Sequence, residues 1–401
     1  MNGAVLAIGD ELICGYQLDT NSQEVSQQLA LVPVDVVLHV SVGDDPAHIQ
    51  AALRMALGMV DVLVVTGGLG PTEDDLTRQV IAAHFGRELI EDPEALERIR
   101  ERFARRGRTM PDGNRMQAWV PAGSQIIQNN RGTAAGFYLT VEGKHIFVTP
   151  GVPYELTGMM EDFILPKLRE LVGNGRTVAR RLLNVYGMPE SEINERIRDM
   201  MARGRNPLLG SLPHLGTITL EVVASAPTRE EAEALAAADV EALRARLGAH
   251  IISENGQELP EIVAELLSER ALTIATAEWG TGGLVAGRLT RVAGAGRWYR
   301  HGAVDVPALE RPVETEEEAV RALAALARAS TGADIGVGVG HLLVEDAQPG
   351  RRPWGSFWAA VDVQGQAVAQ RFSLSGERSF LREWAADAVL GALRACLLEP
   401  R

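Results

Sequence analysis

Val62-Leu63-Val64-Val65-Thr66-Gly67-Gly68-Leu69-Gly70-Pro71-Thr72-Glu73-Asp74-Asp75-Leu76-Thr77 is an apolar run of strand type that opens into glycines and then into an acidic helix start. Glycine lets backbone N–H groups close on an anion, and carboxylates about one turn later can hold the hard cation that accompanies phosphate. The stretch predicts a phosphate-and-metal site at the carboxyl end of a strand.

Outward from it, apolar runs at residues 5–8, 34–42 and 62–66 alternate with helical segments, the pattern of a largely parallel sheet covered by helices. Asn21 is expected to cap a helix with Glu24 completing a capping box, and Asp45-Pro46 sets a cap residue before a first-turn proline. Residues 93–106 carry opposite charges at helical spacing and read as a solvated helix face. Ligands of open α/β sheets bind beyond the carboxyl ends of the strands, where Gly9-Asp10-Glu11, Gly43-Asp44-Asp45 and the Gly67 loop fall. Asn129-Asn130-Arg131-Gly132-Thr133-Ala134-Ala135-Gly136-Phe137 and Thr149-Pro150-Gly151-Val152-Pro153 add later polar turns. Pro153 opens a helix that Pro166 is expected to kink or stop.

A chain of 401 residues exceeds what one hydrophobic core organises, so two or three domains are expected. The 46% hydrophobic and 23% charged residues, with mean hydropathy −0.01, allow sizeable cores without lipid. No run of about 18 apolar residues occurs, and Met1-Asn2-Gly3 lacks the basic and apolar regions of an export signal, so the expectation is a cytoplasmic chain without a membrane segment. The net charge of −14 argues against broad electrostatic capture of nucleic acid. Cys14 and Cys396 read as small buried hydrophobes, not as a disulfide or a zinc site.

These residues resemble the competence/damage-inducible CinA family, whose N-terminal domain is similar to the molybdopterin-binding MoaB/MogA fold. The resemblance is carried by Gly9-Asp10-Glu11-Leu12, Asp19-Thr20-Asn21, Val42-Gly43-Asp44, the glycine stretch through Thr77, Asn114 with Gln117, Gly132-Thr133-Ala134 and Pro150-Gly151-Val152-Pro153. Ala135 stands where the family usually has proline. The resemblance implies a nucleotide-like ligand and metal-dependent hydrolysis of the ADP-ribose pyrophosphate bond to AMP and ribose 5-phosphate. The cofactor would be a divalent cation (Mg²⁺, Mn²⁺ or Co²⁺), with K⁺ as a further candidate. Asp44 and Asp75 become the candidates for catalysis and for metal or water positioning, with Glu11 and Asp74 behind them as metal candidates. Gly67, Gly68, Gly70, Thr72, Asn114, Gly132, Thr133, Pro150 and Gly151 become the phosphate- or nucleotide-binding set. Taken singly, Asp44 and Glu11 also suit loop or helix caps, and Asp75 suits a helix dipole.

Beyond residue 172 a small α+β pattern follows: a strand at 182–186, a helix at 189–201, an alternating strand at 216–224 and a helix at 228–247. It resembles the KH-like domain of CinA proteins, including Gly187-Met188-Pro189-Glu190-Ser191 and Asn206-Pro207. RNA readers of that type clamp phosphates with a Gly-x-x-Gly loop. None stands between the expected helices and the second helix is acidic, so a spacer or dimerisation role is expected instead.

The last segment resembles the CinA C-terminal domain, found alone as nicotinamide-nucleotide amidase, through Ala275-Thr276-Ala277-Glu278, Thr281-Gly282-Gly283 and the Arg378 and Arg382 region. The family's Glu-Ser-Cys-Thr-Gly-Gly reads here Glu278-Trp279-Gly280-Thr281-Gly282-Gly283, and an indole cannot attack a carbonyl. Val306-Pro307-Ala308 and then Arg311 replace a Tyr-Ser-Asn segment and a lysine, and Gly340-His341-Leu342-Leu343-Val344-Glu345 replaces a glycine-rich turn. Lysine can lose its proton when buried, whereas arginine keeps it. No amidase activity is expected, Trp279 is expected to fill the vacated pocket, and His301 and His341 read as structural.

The residues and the resemblance together predict an α/β protein: a MoaB/MogA-like three-layer domain over residues 1–172, a KH-like connector over 173–253 and an inactive amidase-like domain over 254–401 kept for assembly or ligand sensing. The expected partners are a nucleotide-type small molecule and a second copy of the chain, with some aromatics at 298–299, 354 and 357–358 in apolar dimer contacts. Two other classes remain open. One is a non-catalytic nucleotide- or molybdopterin-binding module, the other an interaction protein in competence and DNA recombination with a recombination-protein partner.

Overall fold

The computed structural model describes residues 1–173, 177–305, 317–345 and 353–399, so the expectations at Val306, Pro307, Ala308 and Arg311 lie outside the described residues. Two compact units result, Met1–Ala179 with Ala224–Ala234 and Arg180–Val223 with Leu235–Arg401.

The first domain runs β1 (Asn2–Ile8), α1 (Asp10–Ile13), α2 (Thr20–Leu29), β2 (Asp35–Val42), α3 (Pro46–Leu57), β3 (Val62–Thr66), α4 (Thr77–His84), β4 (Leu89–Glu91), α5 (Pro93–Arg105), β5 (Trp119–Pro121), β6 (Gln125–Ile127), β7 (Gly136–Val141), β8 (Lys144–Thr149), α6 (Pro153–Met159) and α7 (Leu165–Val172). Its sheet has the order β2-β1-β3-β8-β7-β6. The β2, β1, β3 and β8 strands are parallel, and β7 and β6 close one edge antiparallel.

Side chains alternate across a strand, and both faces are covered here, which is why β3 is an unbroken apolar run. Leu6, Leu63 and Val65 pack on Ile49 and Leu53 of α3. Val5, Val62, Val64 and Phe147 pack on Val25 and Leu29 of α2 and on Leu156 and Leu168 of α6 and α7. Two helical layers around one sheet make the three-layer arrangement that places every βα turn at the same end.

Several expectations at helix ends are corrected. Asp19, not Asn21, caps α2, its carboxylate accepting the Ser22 N–H at 2.9 Å. Asp45 does cap α3, accepting the amides of Ala47 and His48. Pro166 neither stops nor breaks the helix: a π-helical turn at Met160–Ile164 joins α6 to α7. A proline ring clashes with the carbonyl four residues back, and the wider turn relieves that clash. Cys14 is exposed and Cys396 half-buried, so neither is the fully buried hydrophobe expected.

The connector is β9 (Thr177–Tyr186), α8 (Glu190–Ile197), β10 (Leu208–His214), β11 (Thr217–Ala226), α9 (Arg229–Leu247) and β12 (Ile251–Ser253), with strand order β10-β11-β9-β12. Alternate residues of β11 are buried, as its Thr-Ile-Thr-Leu-Glu-Val pattern demands.

The last domain comprises α10 (Leu259–Glu269), β13 (Ile274–Glu278), α11 (Leu284–Thr290), β14 (Tyr299–Val304), α12 (Glu317–Thr331), β15 (Ile335–Val339), β16 (Leu343–Val344), β17 (Trp354–Val363), β18 (Gln366–Ser375) and α13 (Arg378–Leu398). Its strand order is β14-β13-β15-β17-β16, with β18 also on β17. The α10, α11 and α13 helices share one core with the sheet, while α12 contributes Val320, Ala324 and Ala327 to separate clusters with β13 and β17. Trp298 lies in the core, whereas Trp354 is 52% exposed. Among the described residues no helix is long and apolar enough to cross a membrane.

Candidate functional site

Beyond β3 the chain turns sharply at Gly67, whose φ is +106° and where a Cβ would sit 2.0 Å from the Ile8 carbonyl oxygen. Only glycine fits there. The Gly67 N–H donates to the Thr149 carbonyl at 3.1 Å, and the Thr66 hydroxyl donates to the Pro150 carbonyl at 3.0 Å. Asn21, freed from capping, donates through Nδ2 to Thr66 Oγ1 at 3.0 Å and to the Gly151 carbonyl at 2.7 Å. Pro150 and Gly151 are thereby held beside the glycine loop.

Asp75 closes that loop. Its Oδ1 accepts the Gly70 N–H at 2.7 Å, and its Oδ2 accepts both the N–H (2.9 Å) and the hydroxyl (2.5 Å) of Thr72. Thr77 donates its hydroxyl to the Gly67 carbonyl at 2.8 Å and its N–H to the Gly68 carbonyl at 3.3 Å. Arg78, fully buried, donates to the carbonyls of Leu69 (2.5 Å) and Gly70 (3.3 Å). The expectation that Gly67 and Gly70 offer their amides to phosphate is therefore corrected, since both amides are engaged inside the protein. The amides of Gly68 and Leu69, by contrast, make no hydrogen bond among the described residues.

Facing the loop, the turns after β1 and β2 are locked reciprocally. The Asp10 N–H donates to Asp44 Oδ2 at 2.9 Å and the Asp44 N–H to Asp10 Oδ1 at 3.0 Å. Burial raises the Asp44 pKa above the usual carboxylate range, the Asp10 N–H opposes the rise, and the charges of Asp10, Glu11 and Asp74 add to it. The charges of Asp10, Glu11 and Asp74 thus act on Asp44, whereas the Asp75 carboxylate is committed to the loop. No group of three His, Cys, Asp or Glu side chains among the described residues is arranged to hold a metal ion as it stands.

Asn114 donates to Gln117 Oε1 at 2.9 Å on the 3₁₀ segment Asp112–Ala118. Gly132 and Thr133 line a separate cavity of about 270 Å³ against α5, with Arg98, Arg102, Ile99, Ile126 and Gln128, and none of Gly67, Gly68 or Gly70 reaches it. Thr77 and Arg78 were missed because arginine in a first helical turn reads as surface by default, and only the fold shows it buried.

In the last domain Glu278 ends β13 with its carboxylate 1% exposed. It accepts the Thr281 hydroxyl at 2.7 Å and the amides of Val285 and Ala286 at 3.0 and 2.8 Å, stitching the strand to the start of α11. The Trp279 ring stacks on His341, with centroids 4.8 Å apart. The Gly280 N–H donates to the Gly340 carbonyl at 2.9 Å, which brings the two turns into contact. His341 is buried, and burial holds its pKa below the usual imidazole value. His301 is exposed on β14.

Residues 4–170 match the family described as a probable molybdopterin binding domain, 180–253 the damage-inducible protein CinA KH domain, and 256–397 the CinA C-terminal domain. A CinA-like protein of Dictyoglomus thermophilum is 35% identical over 411 residues, spanning 99% of this chain and 100% of its own length. The chain belongs to the CinA family. A second CinA-like protein, from Gemmatimonas aurantiaca, is 36% identical over 412 residues, covering 98% of this chain and 96% of that one. The solved structure of the protein CinA from Thermoplasma acidophilum is 32% identical, with a TM-score of 0.39, over 42% of this chain and 97% of that one. As in the CinA family, a MoaB/MogA-like domain, a KH-like connector and a CinA C-terminal domain follow one another. Trp279, which the resemblance sets where a serine is expected, uses its ring in packing on His341.

Proposed function

We propose that the first domain hydrolyses the pyrophosphate bond of ADP-ribose or a related nucleotide with the help of a divalent cation, and that the last domain does not deamidate nicotinamide mononucleotide. The observation that carries this is the pairing of two open amides, Gly68 and Leu69, with a carboxylate cluster in which Asp44 is crowded by Asp10, Glu11 and Asp74. Amides favour phosphate, and crowded carboxylates favour a cation.

Mg²⁺ is commonly held by one or two carboxylates together with substrate phosphates, so a cluster without a complete protein-only set of ligands fits the cation. When bound, the cation supplies charge neutralisation across the diphosphate. Asp44 and Glu11 would hold it, with Asp74 at the rim. Asp44, beside the cation, would orient an attacking water. Asp75 acts by keeping Gly70 and Thr72 in place.

A second reading is a non-catalytic nucleotide or molybdopterin binder, favoured by the full engagement of Asp75 within the loop. The experiment compares AMP release from ADP-ribose by wild type, Asp44→Ala and Asp75→Ala with Mg²⁺, Mn²⁺, Co²⁺ or no metal. Wild type is expected to turn over only with a cation, and Asp44→Ala to lose about a hundredfold or more of the rate. Nucleotide binding without AMP release would establish the binder, and equal turnover in all three proteins would refute the carboxylate roles. Ammonia release from nicotinamide mononucleotide is expected to stay at background.

A further inference from the structure

Four consecutive carbonyls of the glycine loop, those of Gly67, Gly68, Leu69 and Gly70, are all held by two adjacent residues, Thr77 and Arg78. A carbonyl oxygen facing the crevice would repel an anion. In a trans peptide unit the C=O and the following N–H point in opposite directions. Tying the Gly67 carbonyl to the Thr77 hydroxyl therefore turns the Gly68 N–H away from α4, and tying the Gly68 carbonyl to the Thr77 N–H does the same for Leu69. The positive φ of Gly67 and Gly68, +106° and +64°, makes both turns accessible to the backbone.

Behind the loop lies a cation. Arg78 is 0% exposed, its Nε has no hydrogen-bond partner, and no carboxylate forms an ion pair with it among the described residues. Burial pushes its pKa down to about 10, the nearby charge of Asp75 offsetting only part of that fall, and at this value the guanidinium stays charged at neutral pH. A buried, incompletely compensated charge is costly unless an opposite charge approaches.

We propose that Thr77 and Arg78 are positioning residues that aim the Gly68 and Leu69 amides at a diphosphate, with the Arg78 guanidinium as its buried counter-charge. This rests on the diphosphate activity proposed above. It assigns anion binding to residues that touch the loop carbonyls and not the ligand.

The test uses the full chain with Mg²⁺ and inorganic pyrophosphate as the probe. In amide-resolved NMR, pyrophosphate is expected to shift the Gly68 and Leu69 signals more than those of Gly67 and Gly70. Thr77→Val is expected to raise the Kd for pyrophosphate, and the KM for ADP-ribose, about tenfold, the scale of one hydrogen bond lost. Its kcat should change much less, while Thr77→Ser should rescue binding and Arg78→Met should weaken it. Circular dichroism and the thermal midpoint establish that each variant is folded, and the NMR comparison on wild type stands if one is not. Pyrophosphate that binds wild type while leaving the Gly68 and Leu69 amides unmoved, or that binds folded Thr77→Val as tightly as wild type, overturns this inference and leaves the diphosphate activity intact. Absence of both binding and hydrolysis in wild type overturns that activity, and the inference with it.

Discussion

Asp44 is harder to ionise in the folded chain than in the unfolded one, first through burial and then through the charges of Asp10, Glu11 and Asp74. The native state therefore binds its proton more readily, and the contribution of this group to stability falls as pH rises from the ordinary carboxylate value through the raised one. Asp44→Asn removes the charge and can still accept the Asp10 N–H through Oδ1. It should raise the thermal midpoint at pH 7, and the gain should vanish near about pH 3, where the wild-type carboxyl is already neutral. A lowered midpoint at pH 7 would mean that the crowding is absent. Asp44 was legible in the sequence because Gly43-Asp44 ends a strand pattern. Arg78 was not, since nothing local distinguishes a buried guanidinium from a solvated one. Asn21 illustrates a different limit: its cap-like spacing was real, but Asp19 two residues earlier won the cap and released Asn21 to cross-link Thr66 and Gly151.

At the scale of elements, the turn after β3 tolerates no side chain. Gly67→Ala would combine a positive φ with a Cβ 2.0 Å from a backbone oxygen. Gly86, just after α4, has φ +60° and nothing within 4 Å of its would-be Cβ. Gly86→Ala should cost about 1 kcal/mol, from the left-handed conformation alone, and Gly67→Ala well above that, from backbone collision as well. Equal losses in thermal unfolding would refute this account of the loop. Within the second unit, Arg288 of α11 bridges Asp387 and Glu383 of α13, and Asp387 is 9% exposed. Arg288→Met would strand a buried carboxylate, lowering stability by about 3 kcal/mol. Burial already raises the Asp387 pKa and Arg288 is the main influence lowering it, so the loss should shrink on acidification as Asp387 protonates. A thermal midpoint unchanged by the substitution at pH 7 would contradict it. The β1, β2 and β3 strands were legible to within a few residues from the apolar runs at 5–8, 34–42 and 62–66, whereas β10 and β18, on more polar stretches, were not read. In the last domain Gly282 and Gly283, at φ +65° and +89°, carry the turn that follows Glu278, and α11 starts only at Leu284.

For the whole molecule, the order of the three domains was legible because each carries its motifs in sequence, and the matches to all three CinA-family domains bear that out. Of the acidic candidates, Glu11 and Asp74 exert their charge on Asp44, but Asp75 is absorbed by its own loop through bonds that no spacing rule foretells. Cleavage of a diphosphate between the glycine loop and Asp44 is the central claim, and ³¹P NMR of ADP-ribose incubated with the full chain and Mg²⁺, Mn²⁺ or Co²⁺ tests it most directly. The diphosphate signals should be replaced by two phosphomonoester signals, AMP and ribose 5-phosphate, in wild type and not in Asp44→Ala. Diphosphate signals that persist unchanged with wild type and every cation would contradict it.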